Sequence, residues 1–293
     1  MSLFEGAGVA LITPFTKDYK INYEKLEELI EFQIANKADA IVAAGTTAES
    51  ATLNFEERMD VIKFCIDRTK KRTLLIAGTG TNSTSMAVEF SKQSYEYGAD
   101  IVMAVTPYYN KGNESGLIDY FTQIANSVKC PVIMYNVPSR TGVKLPLNVI
   151  KTLSEVPNIQ GIKEASGDIG YVADIANIAP KLDIYSGNDD MVTPMMALGA
   201  KGVISVTSNI IPKENHDMVM NYINGNIKEA VEAQIKYIDL IRAMFIEVNP
   251  VPIKEAMNMM GFNVGECRSP LGPLSEKNRE HVRQTLNKYG LIK

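Results

Sequence analysis

The sequence predicts a (β/α)8 barrel with a C-terminal helical appendage, and three observations support this prediction. Eight short runs rich in Val, Ile, Ala and Leu recur along the chain, with starts 19 to 33 residues apart. The stretches between them place apolar residues at three- and four-residue spacing, as amphipathic helices do. Apolar strands alternating with helices indicate a parallel sheet covered on both faces, and eight such units favour a closed barrel over a five- or six-stranded doubly wound sheet.

The eight predicted strands each end in small or polar residues. In chain order they are Gly8–Ile12, Ala40–Ala44, Thr73–Gly78, Ile101–Val105, Val132–Asn136, Ile159–Lys163, Asp183–Ser186 and Gly202–Val206. The sequence GTGTNS (78–83) follows the third strand, but Ser83 stands where a dinucleotide-binding fingerprint has its third glycine, so it is weak support for a nucleotide fold.

The predicted helices fall between these strands and then take over the chain. The clearest patterns between strands are Tyr23–Asn36, Glu56–Thr69 and Ser83–Tyr97. Beyond about residue 220 the strand signals stop, and Asn221–Met260 and Glu276–Leu291 look helical. We therefore expect a barrel over residues 1–220 and a helical region over residues 221–293, with no linker that would separate independent domains.

Composition excludes several classes of function. The formal net charge is -4, so the chain has no basic excess with which to bind a nucleic acid. It has no run of 18 apolar residues, so we expect no membrane-spanning helix. No basic segment precedes the apolar run at its N-terminus, so we expect no secretory signal. The three cysteines are scattered and form no C-x-x-C pair, which favours a reducing cytoplasm. The two histidines, His216 and His281, lack spaced partners for a metal or a Ser-His-Asp site.

The candidate chemistry lies at the carboxyl ends of the strands, which form the active-site mouth in this fold. Lys163, in NIQGIKEASG, ends the sixth strand, and burial in an apolar barrel would lower its pKa and leave an amine able to attack a ketone. The alternative is a solvated lysine just beyond a strand. Tyr135, in PVIMYNVPSRTG, ends the preceding strand, and its phenol could relay protons to and from a carbinolamine on Lys163. The alternative is a core tyrosine.

Two further motifs suit carboxylates. Arg140 follows Tyr135 in the same loop, and its guanidinium has the geometry to bind a carboxylate, although a surface arginine is as common. GTTAES (45–50) supplies hydroxyls and backbone N–H groups at a helix start, but it would serve equally well as a plain helix cap with a first-turn glutamate.

Taken together, GTTAES, VTPYYN, YNVPSRTG, GIKEASG and GVISVTS resemble the dihydrodipicolinate synthase family, in the right order and over the whole chain. This family belongs to the pyruvate-dependent class I aldolases. The resemblance implies a lyase in which Lys163 forms an imine with pyruvate, and the resulting enamine attacks L-aspartate 4-semialdehyde. The implied product is 4-hydroxy-tetrahydrodipicolinate, on the route to diaminopimelate and lysine. No added cofactor is implied, because the lysine itself is the electron sink.

The resemblance also implies roles for the other residues. Thr46 and Thr47 would hold the pyruvate carboxylate, and Thr47 would link the hydroxyls of Tyr135 and Tyr109 into a proton relay. Tyr109 would reach the site of a neighbouring subunit within a homotetramer built from tight dimers. Further family positions are Arg140, for the carboxylate of the second substrate, and Gly187 and Ile204, which line the pyruvate pocket.

Three alternatives stay open. The first is a lyase or aldolase for N-acetylneuraminate or 2-keto-3-deoxy sugar acids, and the Arg140 loop favours the synthase over it. The second is a phosphate-handling barrel, although GVISVTSN is a poor phosphate cradle. The third is a binding protein that kept the fold without the activity.

Two departures from the family pattern carry predictions. Ala48 replaces the glycine of GTTGES, and we expect it to be tolerated if that residue is helical. Phe55, Arg58 and Met86 stand where lysine-inhibited members carry histidines and a glutamate, so we expect weak or no feedback inhibition by lysine. Millimolar or tighter inhibition in an assay would overturn this expectation.

Overall fold

Eight parallel strands form one closed barrel, which confirms the predicted fold class. The computed structural model describes residues 2–293. The strands pair in chain order, and the eighth returns to pair with the first. They span Gly6–Ala10 (β1), Ala40–Ala43 (β2), Leu74–Gly78 (β3), Ile101–Val105 (β4), Val132–Asn136 (β5), Ile159–Glu164 (β6), Asp183–Ser186 (β7) and Gly202–Ser205 (β8).

The largest error in the strand prediction is at β1, which spans Gly6–Ala10 rather than Gly8–Ile12, while four other strands differ by one residue at one end. Strand β1 begins at Gly6, two residues before the predicted start, because Gly6 pairs with Gly202 of β8. Both glycines have positive φ, and a Cβ on Gly202 would lie 1.8 Å from the Gly6 carbonyl oxygen. Only glycine allows the backbones to come this close, so the seam between β1 and β8 requires residues that carry no β-strand signal.

Helices cover the outside of the barrel, and the three clearest predictions are confirmed to within one residue at each end. Helix α2 begins with a capping box, in which the Asn54 side chain accepts from the Glu57 N–H (2.8 Å) and the Glu57 side chain accepts from the Asn54 N–H (3.1 Å). The barrel helices are Tyr23–Ala35 (α1), Phe55–Thr69 (α2), Thr84–Tyr97 (α3), Glu114–Ser127 (α4), Pro138–Thr141 (α5), Leu147–Leu153 (α6), Ile169–Ile178 (α7), Val192–Met196 (α8) and Pro212–Ile223 (α9).

The C-terminal region is helical but more broken than predicted. Its helices are Ile227–Lys236 (α10), Ile238–Met244 (α11), Val251–Met259 (α12) and Glu276–Lys288 (α13). The helical prediction over Asn221–Met260 is therefore wrong at residues 224–226 and 245–250, which lie outside the helices. Pro250 and Pro252 explain the second of these breaks, because proline donates no backbone hydrogen bond and fits only the first turn of a helix. That residues 221–293 form a unit of their own stays a prediction.

Apolar side chains pack on both sides of the strands. The outer faces of the strands meet the helices, and α11 to α13 join this packing over the α1 and α2 side. A separate cluster fills the inside of the barrel and includes Ile133, Tyr135, Tyr185 and Ile204. Residues 2–293 contain no helix long and apolar enough to cross a membrane. The inner cluster therefore forms an apolar base for the mouth of the barrel.

Candidate active site

The predicted site residues gather at the carboxyl ends of the strands, with one exception. Lys163 in β6 is in register with Tyr135 in the neighbouring β5. The threonine pair follows β2, Gly187 follows β7, and Ile204 lies in β8. Arg140 lies in α5, directly after β5. The exception is the Tyr109 side chain, which is exposed to solvent although its loop also follows a strand, β4.

The Lys163 side chain is buried, and burial is the main cause of its altered acidity. Its surface is 5% exposed, and its Nζ lies 4.4 Å from the centre of the Tyr135 ring. Desolvation lowers the pKa of Lys163 from 10.5 to about 8, with the Asp189 carboxylate opposing this change and the Arg140 charge adding to it. At pH 7 roughly a tenth of such amines are uncharged, against fewer than one in a thousand for an ordinary lysine.

Gly187 leaves the room that the lysine side chain occupies. A Cβ at this position would lie 2.6 Å from the Ala165 Cβ and 3.1 Å from the Lys163 Cε. Ile204 is fully buried in the inner cluster that also contains Tyr135. Gly187 therefore leaves room for the Lys163 side chain, and Ile204 packs in the same cluster as its neighbour Tyr135.

The two threonines of GTTAES contact different partners. Burial raises the pKa of Tyr135, while the Arg140 charge and a hydrogen bond with the Thr46 side chain oppose this rise. The Thr47 hydroxyl instead accepts a hydrogen bond from Asn249 Nδ2 at 2.9 Å. The expected link between Thr47 and the Tyr135 hydroxyl stays a prediction, and the threonine that contacts this phenol in the structure is Thr46.

Arg140 borders a cavity of about 270 Å³ at the mouth of the barrel. The side chain is exposed, and its Nη2 donates to the Asn249 carbonyl oxygen at 3.0 Å. Thr46, Tyr108 and Asn249 line the same cavity. A cation at its edge, with hydroxyl groups inside, suits a small carboxylate ligand.

Tyr109 is held in a strained and exposed position. Its side chain is 92% exposed, and its backbone has φ of 70°. A left-handed backbone costs a residue other than glycine on the order of 1 kcal/mol. The loop is nevertheless held, since Asn110 Nδ2 donates to the Asn82 carbonyl oxygen at 2.9 Å. The structure thus presents this aromatic ring outward rather than to the site of its own chain.

Asp189, a buried carboxylate that acts on the charge of Lys163, is not among the residues predicted from the sequence. It accepts from the Ser205 hydroxyl at 3.0 Å and from the Thr207 hydroxyl at 2.8 Å and the Thr207 backbone N–H at 2.7 Å. Burial raises its pKa against these hydrogen bonds. Asp189 fixes the loop after β8. Its negative charge also acts on Lys163 and opposes the lowering of the lysine pKa. Two adjacent acids after an apolar strand, in SGNDD, were the available signal.

A buried ion pair anchors the GTTAES loop. Lys254 Nζ lies 2.9 Å from Glu49 Oε1, and the two side chains are 2% and 0% exposed. Glu49 also accepts from the Arg268 backbone N–H at 2.7 Å. The local sequence predicts Glu49 only as a first-turn helix residue, because its partner is 205 residues away and no local pattern indicates the pair.

The departures from the family pattern have clear structural settings. Ala48 is buried in a turn, and the left-handed residues of the loop are Ala44 and Glu49 on either side of it, so position 48 does not need the freedom of glycine. Arg58 is buried and donates to the carbonyl oxygens of Gly78 and Gly80. Burial lowers the pKa of Arg58 to about 10, so it stays a cation at neutral pH. A cation at this position repels the ammonium group of a lysine ligand, which agrees with the expected weak or absent feedback inhibition by lysine. That expectation stays a prediction.

These groups suit imine chemistry on a keto acid. An amine that is partly uncharged lies against a phenol, which can carry a proton to and from the oxygen that leaves as water. Threonine hydroxyls and a guanidinium are available for carboxylates. Within residues 2–293 no group of three or more His, Cys, Asp or Glu side chains is arranged to hold a metal ion.

Comparison with known proteins identifies close relatives over the full length. A sequence profile of the Dihydrodipicolinate synthetase family matches residues 3–289. A 4-hydroxy-tetrahydrodipicolinate synthase from Brachyspira hyodysenteriae is 86% identical over 293 residues, which is 100% of both chains. The crystal structure of dihydrodipicolinate synthase from Aquifex aeolicus is 42% identical with a TM-score of 0.96, covering 98% of this chain and 99% of that one. A chloride-inhibited dihydrodipicolinate synthase from Acinetobacter baumannii, complexed with pyruvate, is also 42% identical with a TM-score of 0.96, covering 99% and 100%.

Proposed function

The chain belongs to the dihydrodipicolinate synthetase family, and from that premise we propose that it condenses pyruvate with L-aspartate 4-semialdehyde to give 4-hydroxy-tetrahydrodipicolinate. The observation that carries the proposal is the burial of Lys163. Desolvation lowers the pKa of this amine to about 8. The reaction is that of a lyase acting in diaminopimelate and lysine biosynthesis.

The first step is imine formation. The uncharged Lys163 Nζ attacks C2 of pyruvate to give a carbinolamine, and Tyr135 passes a proton to the departing hydroxyl, which leaves as water. The protonated imine draws electrons from the adjacent methyl group, the Tyr135 phenolate takes a proton from that methyl carbon, and the imine becomes a neutral enamine. Register pairing and a ring only 4.4 Å from the amine support Tyr135 as the proton carrier. Its hydrogen bond with Thr46 supports Thr46 as the next member of the relay.

The second step joins the substrates. The enamine carbon attacks the aldehyde carbon of the semialdehyde, the protonated imine re-forms, and the aldehyde oxygen takes a proton from Tyr135 to become a hydroxyl. The amine of the semialdehyde then adds to the imine carbon and displaces Lys163, which closes the ring and frees the enzyme. The balance is one water lost for each pair of substrates. No cofactor enters this scheme, because the lysine holds the electrons.

The carboxylates of the two substrates need separate anchors. The Thr46 and Thr47 hydroxyls and the backbone N–H groups of their turn suit the carboxylate of pyruvate. Gly187 and Ile204 bound the pyruvate pocket, which the closeness of Gly187 to Lys163 and the packing of Ile204 in one cluster with Tyr135 support. The Arg140 guanidinium, at the edge of the 270 Å³ cavity, suits the carboxylate of the semialdehyde.

The active form is a homotetramer built from tight dimers. An exposed ring on a strained backbone is costly for an isolated chain, which supports Tyr109 as a residue donated to a neighbouring subunit. Helix α10 carries an exposed apolar stripe separate from the Tyr109 ring, with Ile227, Val231 and Ile235 at four-residue spacing and 43%, 38% and 65% exposed. Two separate apolar surfaces are what a dimer of dimers needs. The three free cysteines fit a cytoplasmic location.

An acceptor assay separates this function from its alternative. The enzyme is incubated with pyruvate and, in turn, L-aspartate 4-semialdehyde, N-acetylmannosamine and glyceraldehyde, and each product is measured by mass spectrometry. We expect kcat/KM to be highest for the semialdehyde by orders of magnitude. Equal or better use of N-acetylmannosamine or glyceraldehyde would assign the chain to sialic acid or 2-keto-3-deoxy acid chemistry instead.

A further inference from the structure

Asn249 connects the two proposed carboxylate anchors. It lies between α11 and α12, and 6% of its surface is exposed. Its side-chain Nδ2 donates to the Thr47 hydroxyl at 2.9 Å, and its backbone carbonyl accepts from Arg140 Nη2 at 3.0 Å. It also lines the cavity at the mouth of the barrel. A single residue of the C-terminal region thus contacts a side chain proposed for each substrate.

The direction of the Asn249–Thr47 hydrogen bond decides where the Thr47 proton points. A threonine hydroxyl has one hydrogen to donate and lone pairs to accept with. Because Thr47 accepts from Asn249, its own hydrogen remains free for a ligand. In the reverse orientation the amide oxygen would accept that hydrogen, and the hydroxyl could not donate to a carboxylate.

The orientation of the amide carries an energetic cost. Asn249 Oδ1 is buried without a hydrogen-bond partner among residues 2–293. A buried, unpaired acceptor costs on the order of 1–3 kcal/mol. Among residues 2–293, donation to Thr47 is the only hydrogen bond that the Asn249 side chain makes. The amide is therefore held by Thr47 and not by a partner for its own oxygen.

Neighbouring contacts hold the two segments in register. The buried Glu49–Lys254 pair joins the GTTAES loop to α12, five residues beyond Asn249. Lys254 Nζ also donates to the Glu266 carbonyl oxygen at 2.8 Å. With both ends of the contact fixed, the Asn249 side chain meets Thr47 at a set distance before any substrate arrives.

We propose that Asn249 is a positioning residue that directs the Thr47 hydroxyl hydrogen toward the pyruvate carboxylate. This inference rests on the proposed function for the identity of the ligand. It also means that the barrel over residues 1–220 is incomplete as a pyruvate site without the region that follows it. The Arg140 contact uses a backbone atom and so survives substitution of the Asn249 side chain.

The test compares Asn249→Ala with Asn249→Asp. Asn249→Ala removes the donor, and we expect KM for pyruvate to rise by roughly five- to tenfold, with kcat changed by less than about threefold. Asn249→Asp is nearly the same size but offers only acceptors, which capture the Thr47 hydrogen and repel a carboxylate. We expect its KM for pyruvate to exceed that of Asn249→Ala by about tenfold or more.

Thr47→Val provides the decisive background. Without the hydroxyl, Asn249→Ala should cause no further rise in KM for pyruvate. Asn226→Ala, at an exposed asparagine, is the matched control and should leave KM unchanged. If Asn249→Asp binds pyruvate as well as the wild type does, or if the Asn249→Ala and Thr47→Val effects simply add, Asn249 only fills space and the proposal is wrong. Should Asn249→Asp fail to fold, the cycle between Asn249→Ala and Thr47→Val carries the test alone.

The readout distinguishes this inference from the proposed function. Pyruvate binding is also measured by borohydride trapping of the imine over a range of pyruvate concentrations, which needs no second substrate. If the wild type traps pyruvate but does not condense it with the semialdehyde, the proposed function fails and the ranking of the Asn249 variants still tests the positioning role. If condensation holds and the ranking does not, only the inference about Asn249 fails.

Discussion

Replacing the buried lysine should make the protein more stable while abolishing its activity. Lys163 is 5% exposed, and desolvation is the first cause of its lowered pKa, from 10.5 to about 8. Each unit of pKa corresponds to about 1.4 kcal/mol, so protonated Lys163 destabilises the native state at pH 7 by about 3 kcal/mol. Lys163→Met keeps the length and removes the charge. We therefore expect the free energy of unfolding to rise by up to about 3 kcal/mol at pH 7.

The pH dependence provides the sign of the effect. Because the pKa of Lys163 is lowered on folding, the unfolded chain binds more protons than the native one between about pH 8 and 10.5. The wild type consequently gains stability across this window as pH rises, and Lys163→Met does not. The advantage of the variant should shrink from about 3 kcal/mol at pH 7 to about 1.5 kcal/mol at pH 9.5.

Urea unfolding of both proteins at one protein concentration and at both pH values measures this difference. Lys254→Met is the matched control, because that buried lysine has a carboxylate partner 2.9 Å away. Its loss leaves the Glu49 carboxylate buried without its cation partner, and should destabilise the protein by about 3–5 kcal/mol. If Lys163→Met is less stable than the wild type at pH 7, or if its advantage does not change with pH, the reasoning about a desolvated amine is refuted.

Three further predictions concern the site and the assembly. Gly187→Ala should lower the rate of imine trapping by tenfold or more, because its Cβ would lie 3.1 Å from the Lys163 Cε and 2.6 Å from the Ala165 Cβ; a rate near that of the wild type would contradict the proposed packing. Thr46→Val should mainly lower kcat and Thr47→Val mainly raise KM for pyruvate, since only the first contacts the phenol of the relay; the opposite split in steady-state kinetics would support the expected link through Thr47. The inactive variants Tyr109→Ala and Lys163→Ala, unfolded together and allowed to reassemble, should recover about a quarter of wild-type activity, because about half of the dimers are mixed and one of their two sites is intact. No recovery would argue against donation of Tyr109 across an interface.

The sequence was sufficient for the barrel because the signals were local. Each strand is a short apolar run, and each helix repeats its apolar residues within its own length, so strands such as Ile101–Val105 and Val132–Asn136 were predicted to the residue. The β1–β8 seam was not predictable in this way. Gly6 and Gly202 lie there because two backbones approach closely, and glycine gives no strand signal.

The site was predictable where neighbours in space follow from strand order. Lys163 and Tyr135 end consecutive strands, and consecutive strands of a barrel pair. Asn249 was missed because its partner, Thr47, is 202 residues away and because apolar spacing suggested a helix across its position. The Asn-Pro pair at 249–250 was a usable local signal against that helix. Which of two adjacent threonines contacts the phenol depends on the turn, and sequence spacing does not specify it.

The most direct test of the account is to trap the imine. The protein is incubated with pyruvate, reduced with borohydride, digested and mapped by mass spectrometry. We expect a single adduct on Lys163, with a trapping rate that rises through about pH 8 as the amine loses its proton. An adduct on another lysine, or none at all, would contradict the claim that burial of this amine creates the catalytic centre.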